Sequence, residues 1–265
     1  MTTDPFALFK ASQREAWAIF APTAVFTTPC AAALIEFAEV RAGENVLDVG
    51  CGTGVVAITA AQAGARAKGL DLSPVLLADA RRNAALINAD IEFIEGDAEA
   101  LPYPDASFDV VLSQFGHMFA PRPDIAIAEM LRVLKKGGRI AFSTWPPELM
   151  VGKLFALVAS YLPPPPGAAA PPLWGDPAVI IHRLGDAVEN IEFQRDEMRF
   201  ATLSPRHYVA TMELTIGPVA KLVSALADDP ARLDQFRGEL AKLVETYFAR
   251  NIVRQSFLMT RATRV

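Results

Sequence analysis

The residues whose types and spacing come nearest to a binding site lie in Val46-Leu47-Asp48-Val49-Gly50-Cys51-Gly52-Thr53-Gly54, where an apolar run ends in three glycines at alternate positions. Glycine permits a sharp turn and lets the backbone lie against a ligand, because a β-carbon there would block the approach. Such a loop, running from a strand into a helix, predicts a small-molecule site at the strand's carboxyl end. Two acids extend the pattern. Asp71 follows Gly54 by 17 residues and closes a second apolar run, where its carboxylate can accept both hydroxyls of a ribose. Asp97, in Gly96-Asp97-Ala98, can accept a hydrogen bond from an adenine amino group while Ala98 leaves room for the ring; a plain reading of Asp97 as the cap of a local turn stands beside it.

A glycine-rich loop alone does not choose the ligand. The dinucleotide fingerprint asks for a glycine where Val55 stands and seats a pyrophosphate at the helix N-terminus, so this spacing favours a ligand without phosphates. Asp71 by itself serves NAD and S-adenosylmethionine (SAM) equally. Cys51 lies inside the loop with no basic partner nearby, and its small size accounts for it without a catalytic thiolate.

The elements that must position these residues follow from periodicity. Residues from Lys10 to Val40 read as one or two helices, with Trp17, Phe20, Phe26, Leu34, Ile35 and Phe37 at packing intervals. From Asn45 short apolar runs alternate with helical segments, the pattern of a parallel sheet covered on both faces. Strands are expected at Asn45–Val49, Lys68–Leu72, Ile91–Ile94, Phe108–Ser113 and Arg139–Thr144. Ser73-Pro74 is an N-cap followed by a proline at the first helical position, and Asp124 is expected to cap a helix that Gly137-Gly138 ends.

After Trp145 the rhythm breaks. Pro163–Pro172 is stiff and extended, and is expected to belong to an insertion that turns back over the ligand-binding edge. Ile191–Phe200 and Ser256–Val265 read as strands of a closing antiparallel hairpin, and Pro230–Phe248 as a helix. The expected layout is an N-terminal helical cap (1–40), a ligand-binding core (41–145), lid or substrate insertions (146–185 and 203–228), and returns to the core sheet (186–202 and 229–265).

Composition bounds the rest. The chain has 265 residues, 52% of them hydrophobic, enough for one sizeable core. A net charge of −5 and a pI near 5.3, with no dense Lys/Arg run, argue against a nucleic-acid partner. Cys30 and Cys51 are too few for a disulfide framework or a zinc motif, so no metal is expected. The first residues lack the basic start and apolar run of a secretory signal, and no apolar stretch has the length of a membrane span; a cytoplasmic protein is expected, with oligomerisation left open.

Taken in order, VLDVGCGTG, GLDLSP, GDAEALPYPDASFDVVLS and EMLRVLKKGGRIAFSTW resemble the class I SAM-dependent methyltransferases, and among them the branch of the ubiquinone/menaquinone-biosynthesis enzymes (methyltransferase type 11). The likeness spans residues 41–145. It implies an α/β fold: a doubly wound, Rossmann-like, seven-stranded sheet, mostly parallel, with an antiparallel C-terminal hairpin. It further implies that Gly50, Cys51, Gly52 and Gly54 line the methionine part of SAM, and that Asp48 holds the loop or the amino group. Asp71 would take the ribose hydroxyls, Leu72 would pack on the adenine, and Asp97 and Ala98 would meet its edge. Ser113, Gln114 and Phe115 would close the site near the sulfur.

The chemistry to be expected is transfer of a methyl group to an O or C atom of a small, apolar molecule, leaving S-adenosylhomocysteine (SAH). His117, in the loop after the fourth strand, is the candidate base for a phenolic proton; an ordinary hydrogen-bonded loop histidine is the plain alternative. Trp17, Tyr161, Trp174 and Tyr208 are the candidate substrate contacts, with His182 and His207 beside them in the insertions. Ser113-Gln114-Phe115-Gly116 replaces the Asn/Asp-Pro-Pro-Tyr signature of enzymes that methylate base amines, and two cysteines are too few for arsenic methylation. The rival readings are a SAM-binding regulatory or scaffolding protein without turnover, and a nicotinamide-dependent oxidoreductase.

Overall fold

A computed structural model describes residues 4–265. Helix α1 (Ala7–Trp17), a short 3-10 turn and helix α2 (Ala24–Phe37) precede the sheet. The sheet and its crossovers then run as β1 (Asn45–Val49), α3 (Val55–Gln62), β2 (Arg66–Asp71), α4 (Pro74–Leu86), β3 (Glu92–Glu95), β4 (Phe108–Gln114), α5 (Pro123–Val133) and β5 (Leu134–Thr144). The remainder comprises α6 (Met150–Tyr161), α7 (Pro177–Leu184), β6 (Val188–Ala201), α8 (Pro205–Thr215), α9 (Gly217–Ala225), α10 (Pro230–Glu245), β7 (Phe248–Ala249) and β8 (Ile252–Arg264).

The strands lie in the order β3-β2-β1-β4-β5-β8-β6, parallel from β3 to β5 and antiparallel around β8. The seven strands of this order and the antiparallel close agree with expectation. The two-residue β7 is an addition: Arg250 and Asn251, with φ of 51° and 62°, form the tight turn by which it folds onto β8. The chain moves outward from β1 through β2 to β3 and then reverses to β4. A crevice therefore opens at the carboxyl ends of β1 and β4, where a doubly wound sheet binds its ligand.

Four helices begin in the same way. Ser73-Pro74, Asp176-Pro177, Ser204-Pro205 and Asp229-Pro230 each put a side-chain acceptor at the N-cap and a proline at the first helical position. The capped N–H is that of Leu76, Ala178, His207 or Arg232 respectively, so each helix start is encoded by two adjacent residues. Two expectations need correction. Arg122, not Asp124, is the N-cap of α5, and Asp124 lies in its first turn. Gly137-Gly138 does not end that helix; the chain enters β5 at Leu134, and Gly138 fits because a β-carbon there would lie 2.8 Å from the Asp109 carbonyl oxygen.

The core joins both faces of the sheet. Val46, Leu47 and Val49 of β1, Val110, Val111 and Leu112 of β4, and Ile140, Ala141 and Phe142 of β5 are buried, with Leu34 of α2, Ala57 of α3 and Met130 of α5 packed over them. Strands hidden on both faces read as nearly continuous apolar runs, which is why they were legible in sequence. Among the described residues no single helix is long and apolar enough to cross a membrane.

Candidate functional site

A cleft opens at the switch point between β1 and β4. Its floor is the β1 loop (Gly50, Cys51, Gly52, Thr53), the end of β2 (Asp71, Leu72, Ser73), the turn after β3 (Gly96, Asp97, Ala98) and the end of β4 (Gln114, Phe115, Gly116, His117). Its roof comes from α1 (Lys10, Gln13, Trp17), α6 (Val151, Leu154, Phe155) and α8 (Tyr208, Met212).

The three loop glycines have different tasks. All have positive φ, but only at Gly52 would a β-carbon meet nothing within 4 Å. At Gly50 the added carbon would lie 2.8 Å from the Gly116 Cα, so this glycine lets the β1 and β4 loops touch backbone to backbone. Gly54 does not line the cleft, contrary to expectation; its missing side chain makes room for Phe93 and Ala80.

Asp71 stands at the carboxyl end of β2 with one oxygen accepting from the Gly52 N–H and the other from the Ser73 N–H, both at 2.8 Å. The β1 loop and the start of α4 thus fix its rotamer, while lone pairs on both oxygens remain for a ligand. Burial raises its pKa against these two hydrogen bonds. Asp48 lies deeper, 1% exposed: Oδ2 accepts from the Ala57 N–H at 3.1 Å, whereas Oδ1 has no partner. Burial pushes its pKa up to about 8. A buried carboxylate oxygen without a partner, beside a backbone cradle open at Gly52, fits a ligand that brings an ammonium group to this loop, as SAM does.

Asp97 is engaged by the N-terminal helix. Its Oδ2 accepts from Lys10 Nζ at 2.6 Å and its Oδ1 from the Glu99 N–H at 2.9 Å. Lys10 is 7% exposed and also reaches Glu99 (2.5 Å) and Asp4 (2.8 Å), while Arg122 pairs with Glu99 and Asp4. Although burial opposes its charge, hydrogen bonds to three carboxylates raise the pKa of the Lys10 ammonium. Asp4, Asp97 and Glu99 form the one acidic cluster of metal-binding geometry among the described residues, and the Lys10 ammonium bonds all three.

Of the other expected positions, Leu72, Ala98, Cys51, Gln114 and Phe115 line the cleft. Phe115, at φ 58°, stacks on Trp145 with ring centroids 4.0 Å apart. Cys51 is buried and its pKa is raised well above the ordinary thiol range by burial, so it is no thiolate. Ser113 is behind the surface: its Oγ donates to the Val49 carbonyl at 2.6 Å and accepts from the His117 N–H at 3.0 Å, stitching the β4 loop to β1. His117 is 1% exposed, and neither ring nitrogen has a partner. Burial, then the charge of Arg183, pushes its pKa down to about 3.

Trp17 and Tyr208 line the cleft; Tyr161 and Trp174 do not. Tyr161 packs on Phe236 under Arg232, and Trp174 lies behind His117 against Phe142 with Arg183 over its ring. The insertion around Trp174 therefore buttresses the β4 loop instead of covering the crevice. His182 is exposed and lies outside the cleft, as does His207, whose Nδ1 is 2.7 Å from Ser204 Oγ. Sequence reasoning missed Lys10, Gln13 and Gln255. Gln255 had a readable signal, a polar residue on the inward phase of β8 between buried Val253 and Phe257; Lys10 had none, since two of its three partners, Asp97 and Glu99, come from a distant part of the chain.

Residues 47–142 match the family described as the methyltransferase domain. An uncharacterised protein of Mycobacterium tuberculosis is 32% identical over 96% of this chain and 94% of its own length. A demethylmenaquinone methyltransferase of Thermus thermophilus is 37% identical, over 43% of this chain and 52% of its own. Among solved structures, a putative methyltransferase from Bacillus halodurans superposes with a TM-score of 0.60 at 19% identity, covering 88% of this chain and 97% of the other, a likeness of fold.

Proposed function

Because the chain belongs to the class I SAM-dependent methyltransferases, in the branch of the ubiquinone/menaquinone-biosynthesis enzymes, we propose that it moves the methyl group of SAM to an O or C atom of a small, apolar organic molecule. The observation that carries this reading is the continuity of one cleft from the polar cradle at Asp48, Gly52 and Asp71 to a chamber walled by Val151, Leu154, Phe155, Met198, Phe200 and Met212. A mostly apolar wall with a few polar groups suits a small apolar acceptor.

When bound, SAM supplies a methyl group already activated by its sulfonium. The chain's own residues have the tasks of binding, aligning and drying. Asp71 takes the ribose hydroxyls, Leu72 and Ala98 border the adenine, and the Asp97 carboxylate, steadied by Lys10, receives its amino edge. Asp48 Oδ1 receives the amino group, and the open side of Gly52 lets the methionine backbone approach. Helices α1, α6 and α8 keep water from the chamber, so that alignment and desolvation lower the barrier.

His117 is poorly suited to hold a proton near neutral pH, because its buried imidazolium has no counter-charge and faces Arg183. An acceptor atom acidic enough to ionise without a strong base fits this chamber better than an alcohol does. Calorimetric titration with SAM and SAH tests the reading: saturable binding of both is expected, and no binding at millimolar concentration rejects it. Binding without SAH release from any acceptor in a broad panel would make the protein a SAM-dependent regulator instead of an enzyme.

A further inference from the structure

Among the buried polar side chains that line the cleft are Gln114 at the end of β4, Tyr208 on α8 and Gln255 on β8. The Nε2 of Gln114 donates to the Thr27 carbonyl at 3.0 Å. A carbonyl can only accept, so the amide cannot be turned round, and Oε1 is the end left over. That oxygen is buried and has no partner among the described residues. Tyr208, 1% exposed, accepts from Gln255 Nε2 at 3.1 Å, and its own proton faces nothing better than the Met150 sulfur at 4.0 Å, a weak acceptor.

Tyr208 and Gln255 lie in the acceptor's half of the cleft, and Gln114 is bonded to Thr27, whose neighbour Phe26 stacks on Phe200 of the chamber wall. Gln255 is the register partner of Met198, and Tyr208 packs edge-on against Phe200; both partners line the chamber. Buried carbonyl oxygens and hydroxyls are as a rule fully paired, and an apolar wall would be cheaper without them. An acceptor without a donor and a hydroxyl without a good acceptor are what a bound oxygenated molecule would complete.

We propose that Gln114 selects the methyl acceptor: its Oε1 accepts a hydrogen bond from a hydroxyl on an apolar molecule, and Tyr208, held by Gln255, donates to a second oxygen of that molecule. The proposal rests on the methyltransferase reading of the cleft and narrows its substrate class to hydroxylated apolar compounds. A site built to bond a hydroxyl rejects the analogue that lacks its proton, because the protein's own polar group is then left unpaired.

The test titrates 2-naphthol and 2-methoxynaphthalene by calorimetry into the full chain saturated with SAH. The naphthol is expected to bind at least tenfold more tightly than its ether, and Gln114→Leu to reduce that preference to threefold or less. Equal affinities in the unaltered protein, or no saturable binding of either probe at millimolar concentration, would overturn the proposal. Should Gln114→Leu not fold, Gln114→Met is the replacement, and a preference that survives it also overturns the assignment. Titration of SAH alone separates the two readings: its failure sinks the methyltransferase assignment, whereas SAH binding without discrimination between the probes sinks only the role of Gln114.

Discussion

Asp71, Asp48 and His117 lie within one cleft, yet each is held in a different electrostatic state. Asp71 accepts two backbone N–H bonds that aim it at the crevice. Asp71→Ala is expected to weaken SAM binding by about 1.5–3 kcal/mol, the worth of hydrogen bonds to a charged group, as read by calorimetry; unchanged affinity would remove the ribose role. Asp48 holds its proton up to a pH of about 8 because burial penalises the carboxylate. An ammonium group beside Oδ1 favours the ionised form, so SAM binding is expected to release a proton and to strengthen as pH rises toward 8. Titration in buffers of different ionisation heat checks this, and buffer-independent heats would refute it.

The same two buried groups act in opposite directions on stability. Asp48 has a folded pKa above its ordinary 3.8, so its contribution is full in acid and is lost as pH rises toward 8. His117 has a folded pKa of about 3, below its ordinary 6.5, so its contribution is full above 6.5 and is lost as pH falls toward 3. Asp48→Asn is expected to remove a fall in Tm between pH 3.8 and about 8, and His117→Phe a rise in Tm between about pH 3 and 6.5. In turnover, a rate profile without a limb near pH 6.5 assignable to His117 is expected, unchanged in shape in His117→Gln.

At the scale of elements, the β1 loop and the β4 loop depend on two glycines that leave no room between them. A β-carbon on Gly116 would lie 2.6 Å from the Gly50 carbonyl oxygen, so Gly116→Ala is expected to push the loops apart and lower both Tm and SAM affinity. Gly52→Val separates binding from folding: the position is spatially open, but φ of 52° strains a β-branched residue and its side chain would project where the ligand lies. Loss of SAM binding with a cooperative melting transition is the expected result, and normal binding would show that the ligand lies elsewhere. Lys10 ties helix α1 to the turn after β3, beside contacts made by Gln13, Arg14 and Trp17. Removing its charge leaves Asp97 and Glu99 facing each other, so Lys10→Met is expected to cost on the order of 3 kcal/mol. Faster amide exchange in residues 7–17 is the accompanying signature.

At the scale of the whole molecule, one topological fact organises the site: reversal of strand order between β1 and β4 gathers four loops at one edge of the sheet. Helices α1, α6 and α8 reach that edge from three distant stretches of sequence, and β6 and β8 extend the sheet on one side to form the chamber wall. SAH is therefore expected to protect the N-terminal helix and the α6 segment together from limited proteolysis. Protection of the Gly50–Gly54 loop alone would show that the roof does not close with the cofactor half.

What the amino-acid order alone determined was whatever depends on neighbours along the chain. Apolar runs hidden on both faces marked the strands, Ser73-Pro74 marked a helix start, and Gly50, Gly52, Asp71 and Asp97, singled out by their spacing, all line the cleft. Only the tertiary structure decided which of these residues face the crevice. Gly54 and Ser113 turned out to serve packing and loop stitching, Tyr161 and Trp174 to lie behind the site, and Lys10 and Gln255 to belong to it. The reason is physical: secondary structure and turns obey local sterics and hydrogen bonding. The direction of a side chain, the partner of a buried charge and the pKa of an enclosed imidazole depend on atoms brought together from positions as far apart as 10 and 97, or 114 and 27.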